Sequence, residues 1–218
     1  MEHKNYEREL KYLIKKKELS FESILVFLKS HNYKPVETKI KKKHESYYDD
    51  LDLSFIKNGD VIRSSKHYNE KGTYYHFLYK KNVSDPLKPY VTKFEYGSGQ
   101  FEDVRVFLAE LGVNSAIQPN PVLYAEMTRE TAIVEKGADR FLISYDDVLY
   151  FRNSNSVKAS ERMLEIEDWN TPNSVINAES KYDEHLCEIN KIIIQDDSLP
   201  LQLTKDSKPF RGNLLLWL

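Results

Sequence analysis

Charged side chains recur at every second position inside segments that otherwise read as β-strands, and nothing else in the chain restricts its fold as much. Glu7, Glu9 and Lys11 share one parity while Leu10 and Tyr12 take the other, and Glu165 and Glu167 alternate with Leu164 and Ile166 in the same way. Successive strand residues point to opposite faces, so a sheet closed into a barrel turns such a stripe wholly inward or wholly outward. For any one strand, a solvated outer face is as good a reading as an inner one. The pattern also recurs with the opposite sign. Arg63 follows Val61-Ile62, Lys80 ends the run that begins at Tyr74, Lys93 shares its parity with Glu95, and Arg129 sits within the run from 123 to 134. A lining of both signs suits a polyanion with a metal ion. Carboxylates are hard oxygen ligands for Mg²⁺ or Mn²⁺, and Lys and Arg neutralise the phosphate oxygens that the metal does not reach.

Strand-like runs rich in Tyr, Val and Ile lie near 5–14, 33–49, 60–68, 73–81, 90–96, 123–134, 140–152 and 161–168. Two amphipathic helices interrupt them, one capped by Ser20 and running to about Ser30, the other near 100–111 and stopped by Gly112. Tight turns such as Lys57-Asn58-Gly59-Asp60 favour an antiparallel sheet over alternating βαβ units, and closure removes the sheet's edges. The expected fold is α+β, mainly β: a closed eight-stranded antiparallel β-barrel with flanking α-helices. At 218 residues the chain is expected to form one domain, 1–218. Residues 169–218 would be an extension packed on the barrel, with a helix at about 174–191 and then a less regular segment ending in Leu214-Leu215-Leu216-Trp217-Leu218.

The charges are nearly balanced, 32 basic against 34 acidic, which argues against a nucleic-acid partner. Lys15-Lys16-Lys17 and the run Lys39 to Lys43 read as solvated strand or loop ends. No window approaches the roughly 18 apolar residues of a membrane span. Lone Cys187 cannot form an internal disulfide, and the start carries no signal-like apolar stretch, so a cytoplasmic location is expected. The histidines and the cysteine show no zinc-ligand spacing.

Glu7-Arg8-Glu9-Leu10-Lys11, followed by Tyr47-Tyr48-Asp49-Asp50-Leu51-Asp52-Leu53 and by Lys57-Asn58-Gly59-Asp60-Val61-Ile62-Arg63, resembles the CYTH superfamily of triphosphate tunnel metalloenzymes. The similarity continues through Lys80, Lys93-Phe94-Glu95, Arg129, Asp147 and Glu165-Ile166-Glu167, and so covers about 5–168. It implies a tunnel in which Lys11, Arg63, Lys80, Lys93 and Arg129 hold a triphosphate and Glu7, Glu9, Glu165 and Glu167 serve Mg²⁺ or Mn²⁺. Lys11, Arg63, Glu95 and Asp147 would then act in catalysis, and Lys208, or Lys205 beside it, would supply a C-terminal basic contact. Three positions depart from the family pattern: Ser65 stands at the place of a second arginine, Met127 at that of a lysine, and Asp50 at that of a threonine. The resemblance implies metal-dependent hydrolysis of inorganic, nucleoside or thiamine triphosphate. The alternatives are a class IV adenylyl cyclase forming cyclic AMP from ATP, and a nucleotide- or polyphosphate-binding protein without turnover. Oligomeric state, a homodimer included, is left open.

Overall fold

The first strand is also the one that closes the sheet. In order the elements are β1 (His3–Ile14), α1 (Phe21–Ser30), β2 (Lys34–Asp49), α2 (Ser54–Lys57), β3 (Val61–Asn69), β4 (Gly72–Asn82), β5 (Val91–Ser98), α3 (Val104–Glu110), β6 (Asn120–Lys136), β7 (Asp139–Phe151), β8 (Ala159–Asp168), α4 (Glu179–Ile194), β9 (Leu201–Thr204) and α5 (Lys208–Trp217). This computed structural model describes residues 3–16, 18–69, 72–99, 101, 103–113, 118–153, 156–169, 179–196 and 199–217. The sheet order is β5-β4-β3-β2-β6-β7-β8-β1-β9, and a further β5–β1 pairing closes β1 to β8 into an antiparallel eight-stranded barrel. Glu9 pairs with Val91 of β5 and with Glu167 of β8, while Lys11 pairs with Glu165 of β8 and with Thr204 of β9. Hence β8 takes one edge of β1, and β5 and then β9 share the other.

The apolar parity of the strands faces outward, under the helices. Ser20 caps α1 by accepting a hydrogen bond from the Ser23 N–H (3.1 Å), and Phe21, Ile24, Leu25 and Leu28 form the buried stripe that this spacing requires. That stripe and Leu186, Ile189 and Ile193 of α4 cover Leu10, Tyr12, Ile143, Leu164 and Ile166. On the other side Phe55 of α2 and Phe107 and Leu108 of α3 cover Ile62, Phe77 and Tyr79. With its outer face buried in this way, the barrel must turn its charged parity into the lumen.

Asp49, fully buried, accepts from the Phe55 and Ile56 N–H groups (3.1 and 2.8 Å) and so anchors the start of α2. Asp50 accepts from the Ser54 N–H (3.0 Å) and from its hydroxyl, so the Asp in place of Thr tightens a turn and leaves the tunnel untouched. Gly59, at φ +78°, then makes the left-handed reversal into β3.

The extension differs from expectation. Residues 201–204 and 208–217 are regular, as β9 and α5, and α4 continues to Ile194; the expected helical positions 174–178 lie outside the described residues.

Candidate active site

Inward parity brings the charged residues of separate strands face to face. Across β1 and β8, Glu9 sits opposite Glu167 and Lys11 opposite Glu165; across β1 and β5, Glu7 sits opposite Lys93; across β4 and β5, Lys80 sits opposite Glu95. Glu7, Glu9, Glu95, Glu165 and Glu167 line one cavity of about 470 Å³ together with Lys11, Arg63, Lys80, Lys93, Arg129 and Lys208.

These charges form two linked networks. In the first, Lys80 bonds Glu7 and lies 3.0 Å from Glu95, while Glu9 is 2.8 Å from Lys11 and 3.7 Å from Lys93. Burial pushes the Glu9 carboxyl up, but Lys11 and Lys93 outweigh it and bring it down to about 2. Lys93 falls to about 7 because burial, Lys11 and Lys80 oppose its charge more strongly than Glu9 favours it. In the second network, Arg129 grips Asp146 with two bonds of 2.6 Å and reaches Glu165 at 2.8 Å. Lys208 bonds Glu165 as well and lies 3.0 Å from Asp146. Arg63 donates to Glu45 at 2.8 Å, and the Tyr47 hydroxyl donates to the same carboxylate at 2.7 Å. Burial alone would raise Glu45, yet Arg63 and Lys43 hold it at about 2.

Glu167 is the exception. It makes no hydrogen bond or ion pair among the described residues, and burial, reinforced by Glu7 and Glu9, raises its carboxyl to about 9. Burial also raises Glu7, with Lys80 opposing and Glu9 and Glu95 adding to the rise. A divalent cation among Glu7, Glu9 and Glu167 would relieve this repulsion, and the all-oxygen donor set suits Mg²⁺ or Mn²⁺. Among the described residues no three acidic, histidine or cysteine side chains are preassembled as a ligand group. Glu165 is committed to Arg129 and Lys208, which separates it from the other three glutamates.

Asp147 is a correction. It has outward parity, is exposed, and lies in a surface cleft with Thr128, Glu130 and Arg162. Its neighbour Asp146, fully buried, points inward and holds Arg129 and Lys208. Of the two tail lysines, Lys205 is exposed and donates to the Pro86 carbonyl (2.7 Å), which leaves Lys208 for the cavity. Asp146, Glu45, Lys43 and Trp169 are absent from the sequence-based site. Inward parity with Tyr47 marks Glu45 and Lys43, and Lys43 sits across from Met127, one of the two positions that lack an expected cation. Lys43 makes no hydrogen bond or ion pair among the described residues, and burial with Arg129 and Arg63 lowers it to about 7.

Beyond the second network the lumen turns apolar. Tyr47, Val61, Leu123, Ala125, Met127, Val148 and Tyr150 cluster there with Leu215 and Leu216 of α5. A Cβ on Gly212 would lie 2.6 Å from both Leu123 and Tyr150, so only glycine lets the helix seat this deeply. Arg211 anchors the helix to Glu161 of β8 (3.1 Å), and Lys208 projects from its first turn into the charged cavity.

No family model matches the sequence, and no curated protein matches it by sequence. Solved structures do match. A protein from Pyrococcus horikoshii OT3 is similar over 96% of this chain and 98% of its own, at 20% identity and a TM-score of 0.54. A Hippeastrum protein, described as an adenylyl cyclase candidate with a dominant triphosphatase activity, is similar over 95% of this chain and 96% of its own, at 11% identity and a TM-score of 0.50. The chain has the CYTH-type tunnel fold. Within that fold, its charged chamber and its helix-sealed end are parts of a single lumen.

Proposed function

We propose that the protein is a metal-dependent triphosphatase that hydrolyses a triphosphate held in the charged chamber. The observation that carries this reading is the composition of the lining: six carboxylates, Asp168 included, and six cations face one cavity. A triphosphate alone would leave that balance strongly negative, and a divalent cation alone would leave it positive. The cation offsets part of the triphosphate's charge, so the chamber accepts the pair at lower electrostatic cost than the triphosphate alone.

Lys11, Lys80, Lys93, Arg63, Arg129 and Lys208 would take phosphate oxygens in exchange for their present carboxylate partners. Phosphoryl transfer depends mainly on positioning and charge neutralisation, and this preset array provides both. Glu7, Glu9 and Glu167 would hold the metal, which when bound supplies Lewis-acid charge stabilisation. Asp146 and Glu45 act from behind, fixing the directions of Arg129 and Arg63. The dominant triphosphatase activity of the Hippeastrum protein supports hydrolysis over cyclisation.

The test incubates the purified chain with Mg²⁺ or Mn²⁺ and inorganic triphosphate, ATP or thiamine triphosphate. Phosphate release that EDTA abolishes is expected, without cyclic AMP. Cyclic AMP would replace this reading by the cyclase, and tight binding without release by a non-catalytic binder.

A further inference from the structure

The structure carries one aromatic residue into the charged chamber at a place that the triphosphate does not explain. Trp169 follows β8, and its N–H donates to the Arg140 carbonyl at 2.9 Å, so the β7–β8 ladder, in which Asp168 pairs with Phe141, extends one residue further. Trp169 therefore keeps the parity of Glu165 and Glu167 and stands one inward step, roughly 6.6 Å, beyond Glu167. It lines the same cavity, and 43% of it remains exposed. Its indole makes no ring or cation contact among the described residues, although eight other ring pairs are formed among those same residues. Large apolar side chains elsewhere in the lumen are sealed at the opposite end, against α5.

We infer that Trp169 stacks on the organic group of the substrate, and that the preferred substrate is a triphosphate monoester bearing a planar aromatic ring. This rests on the triphosphate reading above and narrows it. With phosphates among Lys11, Arg63 and Arg129 and the metal-side carboxylates at Glu7, Glu9 and Glu167, an ester substituent leaving the chain past Glu167 meets the indole next. An aromatic face there binds any flat ring, whether a nucleobase or another heterocycle, and leaves inorganic triphosphate unaffected.

Binding of inorganic triphosphate, ribose 5′-triphosphate, ATP, GTP and thiamine triphosphate, each with Mg²⁺, tests the inference in the wild-type chain and in Trp169→Ala and Trp169→Phe. The expected result is a roughly tenfold loss for the aromatic esters in Trp169→Ala, recovery in Trp169→Phe, and unchanged affinity for the two ligands without a ring. The aromatic ester that loses most identifies the ring. The chain has only two Trp, so a Trp217→Phe background leaves Trp169 as the sole indole reporter. Its fluorescence should be quenched by ATP and not by ribose 5′-triphosphate. Equal losses for inorganic triphosphate and ATP, or no loss for any aromatic ester, overturn the role of Trp169 while leaving the triphosphatase reading intact. Failure of the wild-type chain to bind inorganic triphosphate as well would overturn both.

Discussion

The two halves of the lumen share the same strands and are built on opposite principles. On β6, Arg129 belongs to the charged chamber while Met127, Ala125 and Leu123 belong to the sealed floor; on β3, Arg63 and Val61 divide in the same way. A single strand thus changes from charged to apolar within one inward step. The floor buries apolar surface and so contributes stability, whereas the chamber holds buried charges whose desolvation roughly offsets their attraction. The difference teaches that the fold is held by its outer shell and its floor, and that the chamber is tolerated for the ligand it can take.

Four substitutions test that division. Leu123→Ala, in the floor and fully buried, should cost about 2–5 kcal/mol of unfolding free energy in urea titration. Its kcat/KM, measured while the protein is folded, should stay close to wild type; a large loss of activity would mean that floor and chamber are not separable. Glu167→Gln is the converse. Activity with Mg²⁺ should fall roughly 10²-fold, yet the melting midpoint in EDTA at pH 7 should rise, because the folded chain must keep this acid protonated at a pH where the unfolded chain ionises it, and an amide carries no such cost. Gly212→Ala places a methyl 2.6 Å from Leu123 and Tyr150 and should cost about 1–3 kcal/mol, seen as a lower midpoint at full ligand affinity. If α5 shifted instead, Lys208 would move with it, and affinity for triphosphate would fall too.

The smallest effect is expected at Lys43. Its folded pKa, about 7, lies below that of the unfolded chain, so the unfolded state gains a proton first as pH falls. The resulting penalty is complete below pH 7 and disappears as pH rises through the unfolded value near 10.4. Lys43→Met should therefore raise the melting midpoint by a few degrees at pH 7 and leave it unchanged near pH 10.5. A constant difference across that range would assign the gain to packing against Met127.

Parity made the chamber legible before any coordinates. Glu7, Glu9, Lys11, Glu165 and Glu167 alternate with residues apolar enough to fix which face is outer. The same logic failed at Asp146 and Asp147, because two adjacent acids satisfy either register and a one-residue slip exchanges the faces. Glu45 and Lys43 were hidden at the end of a lysine-rich stretch whose earlier part is exposed on both faces, so the alternation of burial begins only with them. The sealing helix α5 gave no periodic signal. Its buried positions include Pro209, Gly212 and Asn213, chosen for close fit against the strands and not for hydrophobicity. The four residues of β9 are too short a run to read as a strand.

The pairing of β1 carries a consequence for how the chain is made. Its edges are taken by β5, β8 and β9, so Leu10 must wait for Ile166, and Lys11 for Glu165 and Thr204, all synthesised much later. Contacts at such separation form slowly, and until they form the first strand offers two bare edges to any neighbouring chain. Glu7, Glu9 and Lys11 spend that interval in water, where alternating charge discourages edge-to-edge pairing. The side chains assigned to the ligand in the finished barrel would first serve to keep the nascent strand from aggregating.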